Sequence, residues 1–266
     1  VSKSTENTLW GKVRTRALGN TDFTLKAAHA ERTIDGYEVL PWLTTAENPL
    51  MRKYNMADRT RDTGGARADI SAWQVVNIGL GVDYAKAEYT QSQIGLTGSK
   101  DVTYSADASA ALAKDTSLHA YLTREKIDSQ QAGSAILSTP TWNAQNTDTV
   151  DTVGVGVKHA LIKGKLDIGV DYTVSYSRGE VAIQDGTAAP PFPDLISKLG
   201  VVKLHATYRL KDNLSLNGTW WYQHYLSENW QLNGISASTL ADVLALGEQP
   251  PSFYANVVML SVRYRF

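Results

Sequence analysis

The chain has 266 residues, 26 basic and 27 acidic side chains, a formal net charge of −1 and no cysteine. Near-neutrality disfavours a polyelectrolyte partner such as nucleic acid, and the missing Cys removes disulfides, Cys-ligated zinc, thiol nucleophiles and covalent haem attachment through C-x-x-C-H. No apolar run reaches the ~18 residues a transmembrane helix needs, and the polar opening Val1–Asn7 is no signal peptide, although a mature exported chain would also lack one.

Period 2 dominates the sequence. Ile78, Leu80, Val82 and Tyr84 alternate with Asn77, Gly79, Gly81 and Asp83. Tyr104, Ala106, Ala108, Ala110 and Leu112 repeat the pattern, as do Val153, Val155 and Val157. From Leu166 to Tyr176 every second residue is apolar or aromatic and the residues between are Asp, Gly, Thr or Ser. Val202–Leu210, Leu214–Tyr222 and Val258–Phe266 follow the same rule. Side chains alternate faces along a strand, so each segment has one greasy and one wet face. The alternation predicts about eleven strands, near 8–18, 23–32, 60–72, 76–90, 101–113, 117–128, 148–161, 166–183, 197–210, 214–228 and 254–266.

Short connections (19–22, 73–75, 114–116, 163–165, 211–213) alternate with long ones (33–59, 91–100, 129–147, 184–196, 229–253). That asymmetry marks an antiparallel up-and-down meander. All eight prolines fall in the long connections, as a ladder of backbone hydrogen bonds requires. A soluble sandwich or lipocalin-like core also alternates, but with strands of about 5–6 residues. Runs of 10–14, with Tyr172, Tyr176, Tyr208, Trp220, Tyr222, Tyr264 and Phe266 toward the ends of the apolar faces, fit tilted membrane strands with aromatic girdles. The expected fold is an all-β, antiparallel, up-and-down transmembrane barrel wall of about 11–12 strands. Residues 1–266 form a single wall segment, with long external loops near 33–59, 129–147, 184–196 and 229–253. Within the last loop, Leu240, Val243 and Leu244 have helical spacing between Ser238 and Gly247, predicting a short surface helix.

The ending Leu260-Ser261-Val262-Arg263-Tyr264-Arg265-Phe266 resembles the terminal signature by which bacterial barrels are recognised for insertion. It places that end, with the short turns, on the periplasmic side. An odd strand count then puts Val1 outside the cell, and the expectation is that the chain is the C-terminal part of a larger barrel. Further runs are Asn48-Pro49-Leu50-Met51-Arg52-Lys53-Tyr54-Asn55-Met56-Ala57-Asp58-Arg59, Ser92-Gln93-Ile94-Gly95-Leu96-Thr97, Asp151-Thr152-Val153-Gly154, Pro191-Phe192-Pro193-Asp194-Leu195 and Leu246-Gly247-Glu248. In this order and spacing, over residues 45–266, they resemble the C-terminal half of the decahaem-associated outer-membrane barrel family (the MtrB/PioB type). The resemblance implies a bacterial outer-membrane sheath around a periplasmic multihaem c-type cytochrome, with an outer-surface multihaem cytochrome docking on external loops and membrane lipid outside. It implies no cofactor on this chain itself, the haem c being carried by the partner. The sequence departs from the family in its shortness and in lacking the N-terminal half.

The wet face carries Lys12, Arg14, Arg16, Lys26, Arg67, Lys158, Lys203, His205, Arg209, Trp221, Arg263 and Arg265, the candidate partner-binding set. With them run Asp69, Asp83, Asp107, Glu125, Asp167 and Asp171. Two readings stand for these charges: a wall that pairs with a cytochrome surface and haem propionates, or a solvated porin lumen with self-paired charges. Gly79, Gly81, Gly154, Gly156 and Gly169 share that face, either admitting a guest close to the backbone or acting as curvature points. The five His show no metal-ligand spacing, Arg61-Asp62 and Arg124-Glu125 read as local salt bridges, and no nucleophile–base constellation emerges, so no catalysis is expected. The alternative to a sheath is a passive diffusion porin with a charged lumen.

Overall fold

A computed structural model describes residues 3–37, 48–186, 192–230 and 252–265. It contains eleven strands: β1 (Lys3–Leu18), β2 (Thr21–Asp35), β3 (Arg59–Trp73), β4 (Val76–Glu88), β5 (Gly95–Ala113), β6 (Thr116–Gly133), β7 (Trp142–Ile162), β8 (Leu166–Gln184), β9 (Leu195–Lys211), β10 (Leu214–Glu228) and β11 (Phe253–Tyr264). They form one antiparallel sheet in sequence order. The predicted helix near 239–246 and the terminal Phe266 lie outside the described residues.

Every predicted strand is present, but four run five or six residues further toward the long loops than the alternation indicated. β1 starts at Lys3, β5 at Gly95 and β7 at Trp142, and β6 continues to Gly133. Much of the expected loops 91–100 and 129–147 is therefore strand. The reason is physical: in these extensions both faces meet water, so the alternation disappears while the hydrogen-bonded ladder continues. Gly98, Gln130 and Gln145 sit side by side there in register.

The register slips with strict regularity. Thr21 at the start of β2 is level with Ile70 and Ile78, two residues above Val76, where β4 begins. Val76 is level with Ala110 and Leu118, two above Thr116 at the start of β6. Thr116 is level with His159 and Ile168, two above Leu166, and Leu166 with Tyr208 and Leu216, two above Leu214. This stagger of one residue per strand, at ~3.3 Å rise and ~4.8 Å spacing, tilts the strands by about 35°. Each short hairpin carries a register shift beside its turn, as at Arg16/Leu18 and Ser71/Trp73. Gly164, at φ +73°, supplies the left-handed residue of the Lys163–Lys165 turn.

The sheet has almost no core. Leu80, Leu122, Val155, Val170, Tyr172, Val174 and Leu204 are all exposed on one face. Along β8 that apolar face runs from Leu166 to Tyr176, about 33 Å of strand and, at the tilt above, about 27 Å of height. A hydrocarbon band of ~25 Å matches it, so lipid takes the place of a protein core. Val170→Arg, in the middle of this band, is expected to lower stability by about 2–4 kcal/mol in urea unfolding from phospholipid vesicles, whereas Gln130→Arg, on the same face of the watery extension, changes it by less than about 0.5 kcal/mol.

Candidate functional site

The polar face follows from the register alone. Lys12 opposes Lys26, Lys26 opposes Gly65, and Gly65 opposes Asp83. On the other flank Asp171 opposes Lys203, Lys203 opposes Trp221, and Ser215 opposes both Arg209 and Arg263. Arg67, Lys158 and His205 join the same face through Gly81, Gly169 and Thr219. Arg265, two residues beyond Arg263, shares a concavity of about 200 Å³ with Arg209, Lys211 and Arg263 at the short-turn end.

These residues separate into two groups. Arg14 and Arg16 both bind Asp22 (3.0 and 3.1 Å), Lys26 binds Asp83 (2.6 Å), Arg67 bridges Asp69 and Asp107 (2.8 Å each), and Arg209 binds Asp167 (2.6 Å). His205 Nδ1 and His119 Nε2 share the Asp171 carboxylate at 3.4 and 3.1 Å. The cations of these pairs are at least partly exposed while Asp22, Asp167 and Asp171 are partly covered, and each pair contributes little stability individually. Lys12, Lys158, Lys203, Arg263 and Arg265 have no ion pair among the described residues. Nor do Asp101, Glu125 and Asp148 on the same face, although Asp101 accepts a hydrogen bond from Thr103 at 3.4 Å. Most of the unpaired charges segregate along the strands, Arg61 at the long-loop end of β3 being the exception. Lys158 and Arg263 lie near the short turns, whereas Asp101 and Asp148 lie far up β5 and β7, toward the long loops.

The glycines of this face are not bare backbone. Arg67 and Asp107 fill the space over Gly79, Tyr121 covers Gly154, His119 and Asp171 cover Gly156, and His205 covers Gly169. The expectation that a guest meets the backbone at these points is corrected: the glycines let long side chains lie flat along the wall. The Arg61-Asp62 and Arg124-Glu125 readings are corrected as well. Neighbours in a strand point to opposite faces, so Asp62 pairs with His29 (2.7 Å) and Arg124 with Asp151 (3.6 Å).

Two of the distinctive runs touch each other, a contact with no signal in their residues. Met51 forms a parallel bridge with Ile94, Arg52 N–H donates to the Ile94 carbonyl (3.0 Å), and Ile94 N–H donates to that of Leu50 (3.2 Å). Asn48 Nδ2 donates to the Ser138 carbonyl (2.9 Å), and Arg32 donates to the carbonyls of Ala57 (3.0 Å) and Tyr54 (2.6 Å). Ala57 is buried against Ala87 and Tyr89, and Ala87 is in register with Arg61 and Ser99 on the polar side of the sheet. Residues 48–58 thus form a strap along the inner side of the wall at the long-loop end, from β2 across to the β6–β7 loop. Of the ten buried non-glycine residues among those described, Asn48 and Ala57 belong to it and Ala87, Tyr89, Ser92 and Ile94 lie beside it. Gly95 is its fixed point, with φ +106° and the Arg52 carbonyl against the place a Cβ would take.

Two other distinctive runs also make defined contacts. Asp194 accepts from Arg178 (2.6 Å) and Phe192 stacks on Trp230 at 4.9 Å. Thr152 donates to Ser175 (3.0 Å).

A staggered up-and-down sheet with an apolar band of membrane height on one face and charge on the other defines an outer-membrane β-barrel wall. Solved barrels share the arrangement. The alcaligin receptor FauA of Bordetella pertussis superposes with a TM-score of 0.61 at 12% identity over 98% of this chain and 39% of that one. FpvA of P. aeruginosa gives 0.61 at 10% identity over 98% and 38%, and the copper transporter OprC 0.62 at 11% over 98% and 42%. At such identities the likeness is one of fold. The sequence goes further: residues 2–266 match the family described as outer membrane beta-barrel porin, MtrB/PioB, and the chain belongs to that family. It is 32% identical over 261 residues to outer membrane protein MtrB of Shewanella baltica (strain OS185), covering 98% of this chain and 37% of that protein. The chain thus spans little more than a third of the curated relative it matches. Its apolar band faces lipid in the bacterial outer membrane and its charged face lines the lumen.

Gly95→Ala is expected to release the strap at a local cost of about 1–3 kcal/mol. Amide exchange at Arg52 and Ile94 should quicken and proteolysis appear within 48–58, while exchange in the middle of β8 stays unchanged.

Proposed function

We propose that this chain is part of the sheath of a transmembrane electron conduit, enclosing and positioning a multihaem c-type cytochrome. The observation that carries the reading is the lumen wall. Apart from Arg61 at the long-loop end, its unpaired cations lie at mid-height or toward the short-turn end, and its unpaired carboxylates at mid-height or toward the long-loop end. A wall with that polarity fixes the axial direction of a charged guest. Lys158, Lys203, Arg263 and Arg265 offer charge-assisted hydrogen bonds to haem propionates and acidic side chains of the guest, and Trp221, beside Lys203, offers a flat apolar surface. Flattening His119, Tyr121 and His205 onto glycine keeps the wall thin, and the strap forms a shelf at the outer mouth on which the guest's outer end rests. The barrel does no chemistry. It holds haems carried by the partner at fixed spacing and keeps lipid from them, and the outer loops present the far end to an outer-surface multihaem cytochrome.

A sheath also needs width. A closed ring of eleven strands at this tilt has a backbone radius of about 10 Å, too narrow for a folded guest after side chains are counted. β1 and β11 each pair with one neighbour, and an unpaired strand edge is not tolerated in hydrocarbon. Further strands complete the ring: eleven on 37% of the relative's length scale to about 30 strands, within the known range of bacterial barrels.

The barrel purified in mild detergent should carry a Soret-absorbing c-type partner. Reversing Lys158, Lys203 and Arg263 to Glu should strip most of it, with an effect that shrinks as salt rises. A colourless wild-type barrel that conducts ions in planar bilayers would instead identify a diffusion porin.

A further inference from the structure

The lipid-facing side of the wall changes character abruptly at the top of the apolar band. On β4 the outward series Leu80, Val82, Tyr84 ends in Lys86, and on β5 Ala106, Tyr104, Val102 ends in Lys100. On β6 Leu122 gives way to Arg124 and Lys126, on β8 Tyr176 to Arg178, and on β9 Gly200 to Lys198. Lys86 and Lys100 are direct cross-strand neighbours, as are Arg124 and Tyr104. Six cations therefore follow the upper edge of the band on five of the six strands β4–β9. They stand at or just above an aromatic girdle of Tyr84, Tyr104 and Tyr176. Toward the short turns the outward side chains of strands β4–β9 include Val76, Leu112, Leu118, Leu161, Leu166 and Leu210, with Thr116 and His159 hydrogen-bonded to each other (2.9 Å) and no Lys or Arg among these.

The arrangement holds charge at headgroup depth. Lys100 Nζ lies 5.9 Å from the Tyr84 ring centroid and Lys198 Nζ 5.6 Å from that of Tyr176, so two ammonium groups rest on the girdle itself. Neither lysine has an acidic partner among the described residues. The other four have carboxylate partners, Asp128 and Asp194 partly covered and the rest exposed: Lys86 with Glu88 (2.6 Å), Lys126 with Asp128 (3.4 Å), Arg124 with Asp151 (3.6 Å), and Arg178 with Glu180 (3.1 Å) and Asp194 (2.6 Å). Surface pairs of this kind are individually weak, so a more highly charged anion competes with the carboxylate. The occupant follows from position. This surface lies against the outer leaflet, which in a bacterial outer membrane is built of phosphorylated glycolipid.

We propose that Lys86, Lys100, Arg124, Lys126, Arg178 and Lys198 form a binding belt for the phosphate groups of the outer-leaflet glycolipid. Arg124 and Arg178 take phosphate oxygens through the guanidinium fork, the lysines act as point charges along the rim, and Tyr84, Tyr104 and Tyr176 pack against the upper ends of the acyl chains. The site is on the face opposite the lumen and stands whether or not a cytochrome fills the barrel.

The test uses the full-length barrel. Glycolipid retained after mild-detergent purification is quantified by native mass spectrometry for wild type and for the combined K100Q, K126Q, R178Q and K198Q variant. Each cation near an anionic surface contributes roughly a five-fold factor, so retention should fall by well over ten-fold. The lumen variant K158Q, K203Q should retain glycolipid like wild type. Equal retention by the belt variant overturns the proposal. If the belt variant does not fold, as judged by heat-modifiable gel mobility, the wild-type barrel is unfolded thermally in vesicles containing bisphosphorylated or dephosphorylated lipid A. A higher midpoint with the phosphorylated form supports the belt, and coincident midpoints refute it.

Discussion

In hydrocarbon, a backbone N–H or C=O without a partner costs several kcal/mol, and no water is present to supply one. That penalty shapes this chain. It forces eleven strands into an unbroken antiparallel ladder and moves every proline into connections. It also makes the stagger regular, because each strand must match its neighbour along its whole length. The apolar side chains then have no task inside the protein. Leu122, Val170 and Leu204 face outward, and burial is confined to the strap region and a few small residues. The bilayer replaces the core, so the sheet can remain one layer thick and leave its other face free for charge.

The free face is organised on a second principle. Arg67, His119 and His205 satisfy nearby carboxylates and lie over glycines, and Arg209 satisfies Asp167, so they form the lining itself. Lys158, Lys203 and Arg263 make no ion pair among the described residues, the Asp171 opposite Lys203 being taken by His119 and His205. A wall whose charges all cancelled locally would exert no orienting field on a guest. One whose unpaired cations and carboxylates are largely separated along the axis does. At the outer mouth the strap adds a rigid feature, since its bridge to Ile94 and its tie to Ser138 connect loops that are far apart in sequence. Outside, the cations above the tyrosine girdle meet the leaflet on equally local terms. The same strands thus serve three environments, sorted by side-chain parity and by height.

Much of this was legible in the residues. Alternation along Leu166–Tyr176 gave the strand, its two faces and the membrane reading at once, because a period of two has only one geometric meaning. The assignment of Lys12, Lys203 and Arg263 to one face needed nothing more. Ends in water were less legible: Gly95–Lys100 and Trp142–Thr147 are strand without alternation, because both their faces are wet.

Charge partners were not legible either. Arg124 sits beside Glu125 in sequence yet pairs with Asp151, and a pleat sends adjacent side chains apart while bringing residues from neighbouring strands together. The strap was the largest gap. The runs 48–59 and 92–97 stood out as family signatures, but nothing in either reveals that Arg52 and Ile94 share hydrogen bonds. The sequence by itself determined parity, and with it which side chains meet lipid and which meet the lumen, since that depends only on local backbone geometry. Register, ion pairing and the docking of residues 48–58 depend on how one strand slides against the next, and only the tertiary structure decided them.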